Sequence, residues 1–218
     1  MTKHALGCIA ICLGQALAAP AWALSLGMAD TFAGGADGGW STGVASIAPP
    51  VVVADGGPAG TGDGYLRLTS LGGAGASSKL SAIAGAQWTG DYIAAGVDRI
   101  TLDLVNLGST DLSLRLWLSG PPGVAAVSTT AVLLPAGSGW THASFALDAA
   151  SLTGSPAAAL PGVQQLRLFH GSSAAFPGEA IAAVLGLDNI TAVPEPKAAW
   201  LLVPGLAVLL GLRRRPAA

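Results

Sequence analysis

Cysteine is absent from most of this 218-residue chain. Cys8 and Cys12 are its only two, and both lie in the first apolar segment. No disulfide can therefore staple the body, which must be held by its core alone or by core plus metal. Lysine and glutamate are also scarce, with three and two copies. These are the usual surface residues of helices, so a helical body is excluded as the leading option. Between residues 24 and 196 five basic residues (Arg67, Lys79, Arg99, Arg115, Arg167) face twelve acidic ones, a net charge of −7. No basic patch exists, which argues against nucleic acid as a partner. Ten of the twelve acids are aspartate, a residue of turns and of calcium sites.

Catalytic groups are as sparse. The body has two histidines, His142 and His170, and no thiol. It contains no G-x-S-x-G elbow, no H-E-x-x-H and no phosphate-cradling loop. Glycoside hydrolysis needs two placed carboxylates. Glu179 follows Pro177-Gly178 in a loop, Glu195 sits in a terminal motif, and nothing singles out a pair of aspartates.

What is present begins with the two ends. Lys3 and His4 precede an apolar run from Ala5 to Ala19, and Ala21-Trp22-Ala23 follows. This is the pattern of a secretory signal peptide over residues 1–23, with Leu24 as the mature N-terminus and signal peptidase as the implied partner. A short uncleaved anchor is the alternative. At the other end stand Val193-Pro194-Glu195-Pro196, an apolar run from Ala198 to Leu212, and Arg213-Arg214-Arg215. Proline lacks a donor and restricts its predecessor, so the Pro-Glu-Pro element stays extended and accessible. About 15 helical residues reach only ~22 Å, short of a ~30 Å hydrocarbon core. That suits a transient stop better than a permanent anchor. The arginines hold the cytoplasmic side.

This tail resembles the PEP-CTERM sorting signal of Gram-negative bacteria, on Val193 to Pro196, Trp200, Gly205, Gly211 and Arg213 to Arg215. The resemblance implies export across the inner membrane and processing by an exosortase near Pro194–Pro196. It also implies delivery to the cell envelope, surface or extracellular matrix, with exopolysaccharide as a candidate partner.

Residues 24–192 read as one domain of period two. Leu112, Leu114, Leu116 and Leu118 alternate with Ser113, Arg115 and Trp117. Ile100, Leu102 and Leu104 alternate with Thr101 and Asp103, and Leu166, Leu168 and His170 with Arg167 and Phe169. Such alternation marks half-buried strands. Further strands are expected over 65–70, 78–83, 128–134, 141–147 and 182–191. One short helical turn is expected within 148–159, and a long loop over 49–63. Regular turns such as Gly120-Pro121-Pro122-Gly123 separate the strands. The expected fold is all-β, an antiparallel β-sandwich of jelly-roll type. A signal helix and a short transmembrane helix would flank it. The body also resembles galactose-binding-like and carbohydrate-binding-module jelly rolls, on Asp30-Thr31-Phe32, Gly39-Trp40, Gly139-Trp140-Thr141 and Leu187-Asp188-Asn189-Ile190.

Two candidate sites follow. The resemblance implies a structural calcium ion held by Asp30 and Asp188, brought together if the first and last strands pair. The bland alternative has Asp188 in a turn and Asp30 exposed. Sugar recognition stacks aromatic rings on pyranose faces. The candidates are Trp117 and Arg115 on the face opposite the leucine row, with Arg167 and Phe169 similarly placed, and Tyr65 and Trp88 at loops or strand ends. Trp40 and Trp140 are expected to fill the core. The domain is thus read as a non-catalytic binding or structural module, with an extracellular polysaccharide hydrolase as the alternative.

Overall fold

The alternating leucines build two antiparallel sheets that face each other. A computed structural model describes residues 24–43 and 46–194. The expected signal helix, the membrane span 198–212, and Glu195, Pro196 and Arg213 to Arg215 lie outside the described residues. One sheet runs β2 (Val51–Val53), β3 (Tyr65–Leu71), β12 (Ala182–Val193), β5 (Arg99–Asn106), β9 (Thr141–Ala146), with β1 (Ala29–Asp30) also paired to β12. The second runs β10 (Leu152–Gly154), β7 (Ala125–Ser128), β6 (Leu112–Ser119), β11 (Gln165–His170), β4 (Ser81–Ile83), with β8 (Val132–Leu134) also on β6. All these pairings are antiparallel. A single turn of helix, Pro156–Ala159, falls within the stretch expected to be helical. The jelly-roll sandwich expected from the period-two pattern is the fold.

The core lies between the sheets. Leu66 and Leu68 of β3, Ile100, Leu102 and Leu104 of β5 and Leu185 and Leu187 of β12 come from one side. The four leucines of β6 and Leu166 and Leu168 of β11 come from the other. Each is at most 2% exposed, and burying one such side chain contributes about 1.5–3 kcal/mol.

Three departures from expectation have local causes. The strand expected over 128–134 is two strands, β7 and β8, on the same edge of β6. Between them the Arg115 guanidinium donates to the Ser128 and Thr129 carbonyls, and Ser128 Oγ accepts from the Leu116 N–H. Side chains thus take over part of the ladder's hydrogen bonding. The expected 49–63 loop contains β2, which pairs Val51 to Val53 with Arg67 to Tyr65. Finally, β12 extends to Val193, opposite Arg99, so the sheet takes one residue from the segment assigned to the tail.

β12 also carries a bulge. Asp188 is opposite Asp103, yet Thr191 is opposite Thr101, so one extra residue sits on β12. Asn189 takes it up in the left-handed region, with φ of 49°. The bulge decides where the aspartates of this strand point.

Candidate functional site

The outer face of the second sheet is built by strand register. Trp117 of β6 lies opposite Arg167 of β11, and Arg115 opposite Phe169. Alternation turns all four away from the leucine core. The Gly171–Ala180 connection then folds over part of this face. Phe176 stacks on Trp117 with centroids 4.5 Å apart and planes at 21°, and meets Phe169 edge-on at 5.5 Å. The Arg167 guanidinium carbon lies 5.4 Å from the Trp117 ring centre and 5.1 Å from that of Phe176, within cation–π range.

Beside this cluster two clefts meet at Arg167. One, of about 240 Å³, is lined by Thr42, Ser77, Lys79, Ser81, Arg167 and Phe176, among others. The other, of about 520 Å³, includes Ser41, Ile83 and Gln165 with Arg167. The hydroxyls of Thr42, Ser46 and Ser77 form a chain, 2.7 and 2.8 Å long in its two links. Arg167 Nε donates to Gln165 Oε1 at 2.6 Å. Partial burial holds the Arg167 pKa below the ordinary guanidinium value.

Arg115 is not available to a ligand. It is 7% exposed. Its guanidinium donates to the carbonyls of Gly171, Ser128, Thr129 and Ser172 at 2.6–3.3 Å. It is a clamp that fixes the Gly171–Ser172 end of the covering connection. Tyr65 and Trp88, also expected at a sugar site, are buried. Trp88 is fully enclosed because it ends a short 3₁₀ turn, Ala86–Trp88, rather than a strand. Tyr65 is 9% exposed on the first sheet, edge-on to Trp140 at 5.3 Å. Trp40 is in the core as expected. Trp140 is not: it is half-buried on the outer face of the first sheet, where its Nε1 donates to the Gly56 carbonyl at 3.0 Å.

The expected calcium pair is split. β1 and β12 do pair, but Asp30 is opposite Ile190, a core residue beyond the bulge. Asp30 Oδ2 accepts from the indole N–H of Trp40 at 2.6 Å and of Trp88 at 2.7 Å, and Gln87 Nε2 donates to it at 3.2 Å. Asp188, before the bulge, shares the opposite face with Asp103. The extra residue thus turns the two carboxylates to opposite sides of one sheet, and a single ion cannot bridge them. Among the described residues no group of three histidine, cysteine or acidic side chains is arranged to hold a metal ion.

Asp188 is nevertheless unusual. It is 0% exposed, and neither carboxylate oxygen has a well-formed hydrogen bond, with only the adjacent Asn189 backbone N–H near it. Desolvation pushes its pKa up to about 7. The Asn189 backbone N–H opposes this, and the nearby Asp63 and Asp103 charges add to it. Asp103 itself accepts from Asn189 Nδ2 at 2.8 Å and pairs with His142 Nδ1 at 2.8 Å.

Neither histidine is joined to a nucleophile. His142 is exposed and meets Asp103; His170 Nδ1 accepts from the Ser113 N–H at 3.1 Å, with Glu179 4.0 Å from Nε2. Among the described residues no serine or threonine hydroxyl bonds to either ring. A wider cleft of about 650 Å³ lies elsewhere, walled by Ala36 to Gly39, Ala86 and Gln87. Its walls are mostly backbone and methyl groups, and Gln87 is already committed to Asp30.

Phe176, Lys79, Thr42 and Ser77 were not anticipated. They come from three connections far apart in sequence. The one local signal was Phe176-Pro177, the sole aromatic in the connection between β11 and β12.

No protein-family model and no curated protein matches this chain. Solved structures do. An exo-β-agarase is similar over 78% of this chain and 25% of its own, at 14% identity and a TM-score of 0.57. The family 11 carbohydrate-binding module of a cellulosomal cellulase from Clostridium thermocellum is similar over 78% of this chain and 95% of its own, at 12% identity and a TM-score of 0.50. This chain therefore matches about a quarter of the agarase but nearly the whole of the binding module. At these identities the likeness establishes a shared jelly-roll fold.

Proposed function

We propose that residues 24–193 form a non-catalytic carbohydrate-binding module of an exported, exosortase-processed surface protein. The observation that carries the reading is the outer face of the second sheet. There an aromatic cluster, Trp117 and Phe176, borders two hydroxyl-lined clefts that meet at Arg167. Ring faces and hydroxyls side by side match a sugar's apolar face and its polar rim. Support for a binding rather than a catalytic role comes from the isolated histidines and the enclosed Asp188 carboxylate, which no substrate reaches. The overlap with nearly the whole of a solved carbohydrate-binding module, itself part of a cellulase, points the same way.

Polysaccharide retention by the full chain in a non-sugar detergent tests the module. Binding is expected to fall at least tenfold in Phe176→Ala or Trp117→Ala with the thermal midpoint little changed. Release of reducing ends from any retained polymer would replace this reading with a hydrolase. The sorting assignment is tested separately by mass spectrometry of the protein recovered from cells. Its C-terminal peptide should end near Pro196 only in a strain with an active exosortase.

A further inference from the structure

We infer that the clefts at Arg167 select an anionic polysaccharide, one carrying carboxylate or sulfate groups, over a neutral one. This rests on the carbohydrate-binding reading above and specifies its ligand class.

The described domain has five basic residues against eleven acidic ones. Two of those five, Lys79 and Arg167, line the same 240 Å³ cleft, and none of the acids lines either cleft. A neutral glycan needs no such exclusion. The cations are also uncommitted. The ion pairs among the described residues are both made by histidine, so neither Lys79 nor Arg167 has a carboxylate partner. Arg167 spends one N–H on Gln165, and no described acceptor takes the rest.

The acid best placed to neutralise them is turned away. Ala180 bridges Lys79 across the cleft edge, so Glu179 is close in the chain. Its carboxylate accepts instead from the Ser172 backbone N–H and hydroxyl, and faces His170. The guanidinium is fixed by Gln165 and by the Trp117 and Phe176 rings. A planar fork held in place and partly desolvated binds a carboxylate or sulfate with two parallel hydrogen bonds. Lys79, exposed at the rim, adds a second positive charge for the next anionic group along a chain. Thr42 and Ser77 supply hydroxyls for the sugar between them.

The test compares retention of the full chain, in a non-sugar detergent, on a linear polyuronate, a sulfated galactan, and neutral agarose and mixed-linked β-glucan. Binding to at least one anionic polymer is expected to be about tenfold or more tighter than to the neutral ones. The polyuronate and the sulfated galactan distinguish carboxylate from sulfate. Arg167→Gln and Lys79→Gln should each lower anionic binding, and Arg167→Lys should rescue only part of it because the fork is lost. Lys79 is exposed, so its variant reads charge without a folding effect. Neutral polymers bound as tightly as anionic ones, with Phe176→Ala still abolishing binding, would overturn this inference and leave the module reading intact. Equal capture of single-stranded DNA would also overturn it, since the cleft would then read charge and stacking alone. No binding to any polymer would remove the module reading itself.

Discussion

Replacing Asp188 by asparagine should stabilise this protein above neutral pH, an inversion of the usual effect of mutating a buried group. Asp188 is sealed on the outer face of its sheet, its oxygens make no well-formed hydrogen bond, and desolvation raises its pKa from 3.8 to about 7. A carboxyl whose folded pKa lies above its unfolded one contributes most below the unfolded value. That contribution disappears as pH rises from about 4 through about 7. The gap between the two values corresponds to about 4 kcal/mol lost by pH 8. For a domain of this size, each 1 kcal/mol moves the midpoint by about 2–4 °C. Asparagine has nearly the same shape and cannot ionise. Thermal unfolding of the full chain in EDTA should therefore show Asp188→Asn more stable than wild type by about 10 °C at pH 8, with the gap closing toward pH 4. His170 titrates in the opposite sense, because desolvation lowers its pKa and acid destabilises the fold. Subtracting wild type from variant at each pH removes that contribution. Parallel pH profiles for the two proteins would refute the reasoning, as would a less stable variant at pH 8.

Two further outcomes follow from particular contacts. Asp30→Ala removes the acceptor of two indole N–H groups in the core, and at about 1–3 kcal/mol per orphaned donor should cost about 3 kcal/mol in a denaturant titration. Arg115→Met keeps the aliphatic bulk but strips four backbone carbonyls of their donor. It should cost about 3 kcal/mol and speed proteolysis within residues 171–180, whereas an unchanged cleavage pattern would show that Arg115 does not fix that segment.

The sandwich was legible because leucine alternation states which face of each strand is buried, and β5, β6 and β11 state it without interruption. The pairing of first and last strands came only as a condition attached to the jelly-roll resemblance, and β1 and β12 meet it. The site was harder to read, for reasons visible in single residues. Alternation placed Trp117 and Arg115 on the right face but carried no information about what covers them. The covering residue, Phe176, comes from a connection of no fixed period. Trp88 and Trp140 exchange their expected places because aromatic residues in turns follow local hydrogen bonds, to Asp30 and to the Gly56 carbonyl, not periodicity. The calcium pair failed on one residue. Asp188 and Ile190 would share a face in an unbroken strand, so Asp30, opposite Ile190, would have met Asp188. A bulge of one residue at Asn189 reverses that, and Leu187 to Ile190 offers no signal of it beyond an asparagine that tolerates positive φ.

The same bookkeeping of faces explains how an acidic domain presents a cationic groove. Arg167 sits at a position opposite to the leucines of β11, and the fold brings it to one surface with Lys79 at the rim, while Arg115 beside it is turned onto backbone carbonyls. Asp103 occupies an outward position of β5 on the other sheet, so its carboxylate lies on the far side of the sandwich. The two surfaces are separated by the leucine core, at whose edge the half-buried Asp30 accepts from the two indoles. Within a Debye length of about 10 Å at 0.1 M salt, a chain in the groove experiences the cations beside it far more than the carboxylates across the domain. A one-residue slip of β11 against the core would bury Arg167 and expose Leu166 and Leu168. The hydrophobic pattern that specifies the fold therefore also specifies which face each charged side chain of a strand reaches.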